Sequence, residues 1–481
     1  MNHLPGDVLI RLSPEITTKM RGTRRRFQRR LAGNLADALE RLDWPFEVDF
    51  GWSRLFARSS SPDALETLSR VAGVASLSVL EGVCPPDLDS IVERGLGLYA
   101  ERIRGRTFGV RAHSSGSHRL SVRELERELG SALNPGATVN LTDPDVWVRI
   151  EVRSEAAYLF SSRVEGRGGL PAGCGGRAVC LLSGGFDSAV AAWMMLRRGV
   201  ELDYLFCRLG AGSEERTVAA IARVLAERWS HGYRPRLHVL DFREVVAAIQ
   251  ATAHPSYWQV ILKREMLRAA ARLSQRERGS AVVTGECLGQ VSSQTLRNLG
   301  VIERAVSTPI LRPLIGFNKN RIIELSKEVG SHDLSATVQE HCAITPSKPV
   351  TAATLTATER EEEGVGPTPL ATALARGRVI DLLASEDGGW DDIFADRIPP
   401  GAVLIDVREE PEFASWHHPG AVRMDFSRLL EEGDGLDPAA TYLVYCDRSV
   451  RSAHAAERLR RRGLKAFAFR GSAIKLRALA A

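Results

Sequence analysis

Residues 180–190 read CLLSGGFDSAV. A short apolar run stops at Ser183-Gly184-Gly185, and a helical apolar pattern, Ala-Val-Ala-Ala-Trp-Met-Met-Leu, follows. A strand, a glycine turn and a helix in that order make a cradle for phosphate. Gly184 and Gly185 let backbone N–H groups approach an anion closely, and the helix start adds unpaired N–H groups and the positive end of its dipole. Ser183 and Ser188 add hydroxyl donors. Yet no Gly-Lys-Ser or Gly-Lys-Thr closes the turn, and there is no GxGxxG. Asp187 is an anion inside a phosphate turn, an arrangement that makes sense if it faces a Mg²⁺.

A second glycine-bearing stretch, VVTGECLGQVSSQT at residues 282–295, also follows a strand-like run. Gly285 allows close backbone approach there, and the Gln294 amide can donate and accept. Lys263, in WQVILKREML, reads by itself as a solvated helix lysine. Cys446 stands at the end of a β-rich run in TYLVYCDRSVRSAHAAERL; a loop follows, and a helical pattern runs from about Val450 to Arg462. Converging N–H groups in such a loop, with Arg448 and Arg451, favour thiolate over thiol and can hold a persulfide anion. Cys342, in VQEHCAITPSKP, reads alone as structural, although His341 and Lys348 could lower its pKa. Cys84, Cys174, Cys180 and Cys287 have no such context and read as structural.

The elements that must position these groups fit within bounds set by composition. At 481 residues the chain has room for about three domains. No apolar run approaches the ~18 residues that span a bilayer, and MNHLPGDVLIRL lacks the pattern of a signal peptide. The expected setting is the cytoplasm, with no membrane partner. Seven scattered cysteines form no CxxC or zinc spacing. Net charge is only +5, yet residues 19–30, KMRGTRRRFQRR, carry seven Lys or Arg and no acid. That run is either a solvated helix face or a contact for a phosphate backbone.

Residues 1–61 read as a small α+β unit, with a strand at Asp7–Leu12, an arginine-rich helix up to Leu42 and a strand near Phe46–Phe50. Residues 62–167 begin with a helix from Pro62 to Val71. A half-buried strand around Phe108, Val110 and Ala112 follows, then a helix capped by Ser121 with Glu124 three residues on, and, in residues 138–160, two alternating strands around the turn Thr142-Asp143-Pro144-Asp145. Residues 177–349 alternate strand and helix, with AVCLL, ELDYLFC, PRLHVLDF and AVVTGE as strands, the rhythm of a doubly wound parallel sheet. Residues 350–396, which include TAATLTATEREEEGVGPTPL, read as a linker. Residues 397–481 read as a second α/β unit.

The SGGxDS pattern resembles the PP-loop of the N-type ATP pyrophosphatases. That resemblance implies cleavage of ATP between its α and β phosphates, with the turn cradling the leaving pyrophosphate. GECLGQVSSQT narrows the resemblance to the tRNA 4-thiouridine synthetases, the ThiI family. It implies that Leu181, Leu182, Ser183, Gly184, Gly185, Ser188, Phe206, Cys207, Lys263, Gly285 and Gln294 contact ATP and that Asp187 is catalytic. Phe108-x-Val110-Arg111, Gly116-x-His118, Gly130, Val139-x-Leu141, Pro144-Asp145 and Val148-x-Ile150-x-Val152 resemble a THUMP domain, an RNA-binding module. LIDVRE (404–409), FASWHHPGAV (413–422), the Cys446 loop and FRGS (469–472) resemble a rhodanese, although Ser449 stands where such loops often carry Gly. The family then implies a ferredoxin-like N-terminal unit and, in the ExCxxxxxxP context, a redox role for Cys342 beside a Cys446 persulfide. It also implies an IscS-type cysteine desulfurase as donor, uridine 8 of tRNA as target, and a ThiS-type carrier as a second acceptor. Two other readings remain at this point: a sulfur relay serving thiamine synthesis alone, and a tRNA-binding protein without catalysis.

Overall fold

The computed structural model describes the chain apart from residues 1–3, 44, 51–53, 60–62, 116–119, 211–212, 337–347, 385–392, 427, 430–434, 447–449, 472 and 481. Two compact units result. One holds residues 1–175 with the turns 197–199 and 231–233; the other holds 176–196, 200–230 and 234–481.

The first unit contains two sheets. One is antiparallel, in the order Val164–Glu165, Val74–Val79, Val8–Leu12, Leu55–Ser59, Phe46–Phe50. The strand Val8–Leu12 is buried on both faces. Val8, Ile10 and Leu12 pack with Phe27, Leu31 and Leu35 of the helix Arg21–Glu40, while Leu9 meets Phe56, Leu80, Tyr158 and Phe160. That helix buries Phe27, Leu31, Leu35 and Leu39 at a spacing of four, so Arg21, Arg25, Arg26 and Arg29 fall on its exposed side. The second sheet runs Gly82–Cys84, Ala157–Phe160, Val146–Val152, Thr107–Ser114, Thr138–Val139. The helix Val122–Leu133, capped by the Ser121 hydroxyl, packs Leu125, Leu129 and Leu133 on it.

Sequence spacing had put the helix after residue 62 in the second segment. Instead, the helix Ala64–Arg70 and the strand Val74–Val79 belong to the first sheet, because Val74–Val79 pairs with Val8–Leu12. The first domain therefore runs well past residue 61. A long-range strand pairing sets that boundary, and local pattern does not reveal it.

The second unit holds a six-stranded sheet in the order Ile310–Leu311, Ala281–Val283, Arg177–Leu181, Glu201–Arg208, Arg236–Asp241, Arg378–Asp381. All pairs are parallel except the last, where Leu237 faces Ile380 antiparallel. The edge strands 310–311 and 378–381 escape the sequence reading. A further five-stranded parallel sheet runs Phe394–Ala395, Lys465–Phe469, Thr441–Tyr445, Val403–Asp406, Val422–Arg423.

The expected linker is largely folded. Helices Leu355–Glu362 and Thr368–Ala375 lie against the large sheet's helices, and Arg378–Asp381 closes its edge. Part of its acidic run is paired. Glu362 accepts from Arg264 at 3.0 Å and from Arg268 at 2.8 Å, and Arg264, only 2% exposed, also donates to the Val301 carbonyl. Removing one partner of a buried ion pair leaves an uncompensated charge. Glu362→Ala should therefore lower the stability of this domain by about 3 kcal/mol in denaturant unfolding, whereas an unattached linker would leave the transition unmoved.

Candidate functional site

From Arg177–Leu181 the chain moves outward to Glu201–Arg208 and Arg236–Asp241 on one side. Ala281–Val283 and Ile310–Leu311 then fill the other side. The crevice between Arg177–Leu181 and Ala281–Val283 is thus the switch point of the sheet, where open α/β sheets bind ligands beyond the carboxyl ends of their strands. Both glycine motifs empty into it. Ser183–Gly185 leads into the helix Phe186–Leu196, whose first N–H groups have no acceptor within the helix. The turn braces itself: the Ser188 hydroxyl accepts from the Ser183 N–H at 3.0 Å and lies 3.1 Å from the Ser183 hydroxyl. Gly285 comes in from the neighbouring strand so closely that a Cβ would stand 2.6 Å from the Ser188 nitrogen and 2.7 Å from the Asp187 carbonyl carbon.

The remaining expected residues gather around the same strand ends. Leu182 donates its N–H to Leu205 at 2.9 Å, which sets Leu181 and Leu182 beside Phe206 and Cys207 on the adjacent strand. Gln294 gives its carbonyl to the Gly289 N–H, and its side-chain oxygen is buried with no partner among the described residues. Lys263, from the helix Trp258–Arg276, donates to Glu286 at 3.0 Å. Burial pushes the thiols of Cys180 up to about 12 and of Cys84 and Cys287 up to about 11, and raises Cys207 further. At neutral pH these four are therefore unreactive thiols.

Asp187 differs from expectation. Its carboxylate accepts from Lys319 Nζ at 3.0 and 3.2 Å and from the Gln290 amide at 3.0 Å. In this structure the carboxylate is in an ion pair, and the cation beside it is Lys319. Sequence reasoning missed Lys319 and Gln290. Lys319 carried a signal, because it opens the helix Lys319–Val329 behind the Asn318 cap, where a cation opposes the helix dipole.

In the smaller sheet, Cys446 follows the strand Thr441–Tyr445 and is buried, 5% exposed, with Sγ 3.5 Å from the Ser452 hydroxyl. The helix Val450–Arg461 lies where the sequence places it, from about Val450. Arg451 lies 3.6 Å from Glu409. Nearby, Asp406 and Arg408 form a buried bidentate pair, and Arg408 also donates to the Trp416 carbonyl at 2.6 Å. Arg448, Ser449, His341 and Cys342, with Gly116 and His118, lie outside the described residues.

On the THUMP-like sheet, Arg111 and Arg149 are cross-strand neighbours, and their guanidiniums stand 5.3 and 4.9 Å from the Trp147 ring centroid. Buried Glu151 accepts from Arg11 at 2.9 Å, from Arg54 at 2.7 Å and from Arg153.

Four family models match the chain: a ThiI ferredoxin-like domain over residues 7–78, a THUMP domain over 86–162, the thiamine biosynthesis protein (ThiI) over 173–366 and a rhodanese-like domain over 391–473. Fold and site thus define a PP-loop enzyme that carries THUMP and rhodanese domains on one chain. A tRNA sulfurtransferase of Marinobacter nauticus is 35% identical over 95% of this chain and 97% of its own, and one of Pyrobaculum aerophilum is 35% identical over 96% of each. A crystal structure of a 4-thiouridine synthetase–RNA complex with bound ATP has a TM-score of 0.68 at 31% identity, covering 78% of this chain and 98% of that one. A structure from Pyrococcus horikoshii shares the fold at a TM-score of 0.51 and 22% identity, over 67% of this chain and 99% of its own. The chain belongs to the tRNA sulfurtransferase family.

Because a Cβ on Gly285 would strike backbone atoms and not a movable side chain, Gly285→Ala must push the two motifs apart. It should cut tRNA thiolation at least about a hundredfold while the far-ultraviolet circular dichroism stays that of the parent; wild-type activity would mean that the two motifs do not form one site.

Proposed function

We propose that this protein thiolates uridine 8 of tRNA at C4, using ATP and a persulfide carried on Cys446. The observation that carries the reading is the convergence of the SGGFDS turn and the GECLGQ loop at the sheet's switch point, with Gly285 in contact with Ser188. The uracil O4 attacks the α-phosphorus of ATP, and pyrophosphate leaves into the glycine turn. Mg²⁺ arrives on the triphosphate as part of the substrate. Lys319, beside Asp187 at the helix start, adds positive charge where the pyrophosphate departs, and Asp187 fixes that lysine. Leu181, Leu182, Phe206 and Cys207 line the nucleotide, and Lys263 and Gln294 supply polar contacts. O4 is then part of AMP, a far better leaving group than an oxide.

The outer sulfur of the Cys446 persulfide attacks C4, and AMP leaves. The Cys342 thiolate then attacks the Cys446 sulfur, breaking the S–S bond. Sulfur stays on uridine, a Cys342–Cys446 disulfide forms, and a two-electron thiol reductant resets the pair. The described residues flanking the Cys342 segment support this role. The His332 ring lies 5.5 Å from that of Phe186 on the PP-loop helix, the two planes tilted by 44°, and the Val350 carbonyl accepts from the Asn298 amide. A cysteine desulfurase of IscS type loads Cys446, and the same persulfide serves a ThiS-type carrier for thiamine. The THUMP-like surface and the arginine-rich helix take the tRNA through its phosphates. Among the described residues no helix is long and apolar enough to cross a membrane; we place the reaction in the cytoplasm, where thiols stay reduced.

The test is 4-thiouridine in tRNA from cells with and without this protein, followed by two variants. Asp187→Ala should abolish thiolation while Cys446 still accepts persulfide. Cys342→Ala should load normally but stop after about one turnover. No change in 4-thiouridine on deletion, loss of loading in Asp187→Ala, or undiminished cycling of Cys342→Ala would each overturn the corresponding step.

A further inference from the structure

Glu286 sits one residue beyond the glycine that touches the phosphate turn, and it is buried, 8% exposed. One carboxylate oxygen accepts from Lys263 Nζ at 3.0 Å. The other accepts from Arg312 Nε at 2.9 Å and from the Thr284 hydroxyl at 3.1 Å. Lys263 comes from the helix Trp258–Arg276, and Arg312 follows the edge strand Ile310–Leu311. One carboxylate thus ties a helix to two strands at their carboxyl ends, on the side of the crevice opposite the glycine turn.

The charges do not balance at Glu286 itself. Two cations converge on one anion, and Arg312 is further held by Glu303 at 2.8 Å through Nη1, while its Nη2 is buried with no partner among the described residues. Burial raises the pKa of Glu286, but Lys263 and Arg312 outweigh it and keep the carboxyl below its ordinary range, so the group stays ionised at neutral pH. Lys263 keeps a quarter of its side chain exposed, at 26%, and an ammonium has three donors, so the hydrogen bond to Glu286 leaves others for a ligand. A buried ion cluster gives no more stability than apolar packing of the same volume, which makes its placement at the crevice the feature to explain.

We propose that Glu286 is a positioning residue for the nucleotide: anchored by Arg312 and Thr284, it holds the Lys263 ammonium at the switch point in the orientation that meets an ATP phosphate. The proposal rests on the nucleotide reading of the site. It gives a sign opposite to simple charge. A carboxylate that merely stood near the phosphates would repel them, and its removal would tighten ATP binding. A carboxylate that aims Lys263 weakens ATP binding when it is lost.

The experiment measures MgATP and tRNA affinity of the full-length protein by titration calorimetry for wild type, Glu286→Gln, Lys263→Met and the double variant. Glu286→Gln should weaken MgATP binding about tenfold, with tRNA affinity unchanged. The double variant should be no weaker than Lys263→Met alone, because Glu286 acts through that lysine. Glu286→Asp, which keeps the charge but shortens the reach, should weaken binding in the same direction; it also guards against a folding defect in the glutamine variant. Tighter or unchanged MgATP binding in Glu286→Gln, full affinity in Glu286→Asp, or losses that multiply in the double variant would overturn the positioning role. A wild type that binds no MgATP would overturn the nucleotide reading itself.

Discussion

The sheet's switch point leaves no space beside the phosphate turn for a side chain on Gly285. The strands Arg177–Leu181 and Ala281–Val283 are neighbours in space although about a hundred residues separate them in the chain. Their pairing brings one glycine turn against another, backbone to backbone. Val179, Leu205, Cys207 and Val282 share one buried core in this domain, and Leu182 and Phe206 are buried as well. The flanking helices bring charged groups to the rim of the crevice.

Those charges are paired before any substrate enters. Asp187 holds Lys319, and Glu286 holds Lys263 and Arg312. Pairing fixes long side chains in one geometry, so the entropy of ordering them is lost on folding and not on binding. The first unit shows the same economy, with Arg11, Arg54 and Arg153 converging on buried Glu151. In each place an anion orders the cations around it.

Much of this is legible in the sequence. The glycine turn between an apolar strand and an apolar helix is read from local pattern, and so is the place of Cys446 at the end of a β-rich run. What escapes are features made by distant residues. TEREEEGVGPTP looks like a linker because its composition is local, whereas the arginines that pair with Glu362 lie in a helix far upstream. The helix after residue 62 looks like the start of a new domain because strand pairing between Val74–Val79 and Val8–Leu12 leaves no local mark. Asp187 in a phosphate turn invites a metal; the lysine it pairs with, Lys319, comes 132 residues later at the start of another helix, and the pairing itself leaves no local mark.

The account depends most on where ATP is cut. Incubating the full-length protein with tRNA and ATP labelled at either the α or the γ phosphate, without a persulfide donor, tests this directly. The expected result is α label retained on tRNA as an AMP adduct and γ label released as pyrophosphate. Release of γ label as inorganic phosphate, with ADP formed and no α label on tRNA, would contradict the role assigned to the glycine turn.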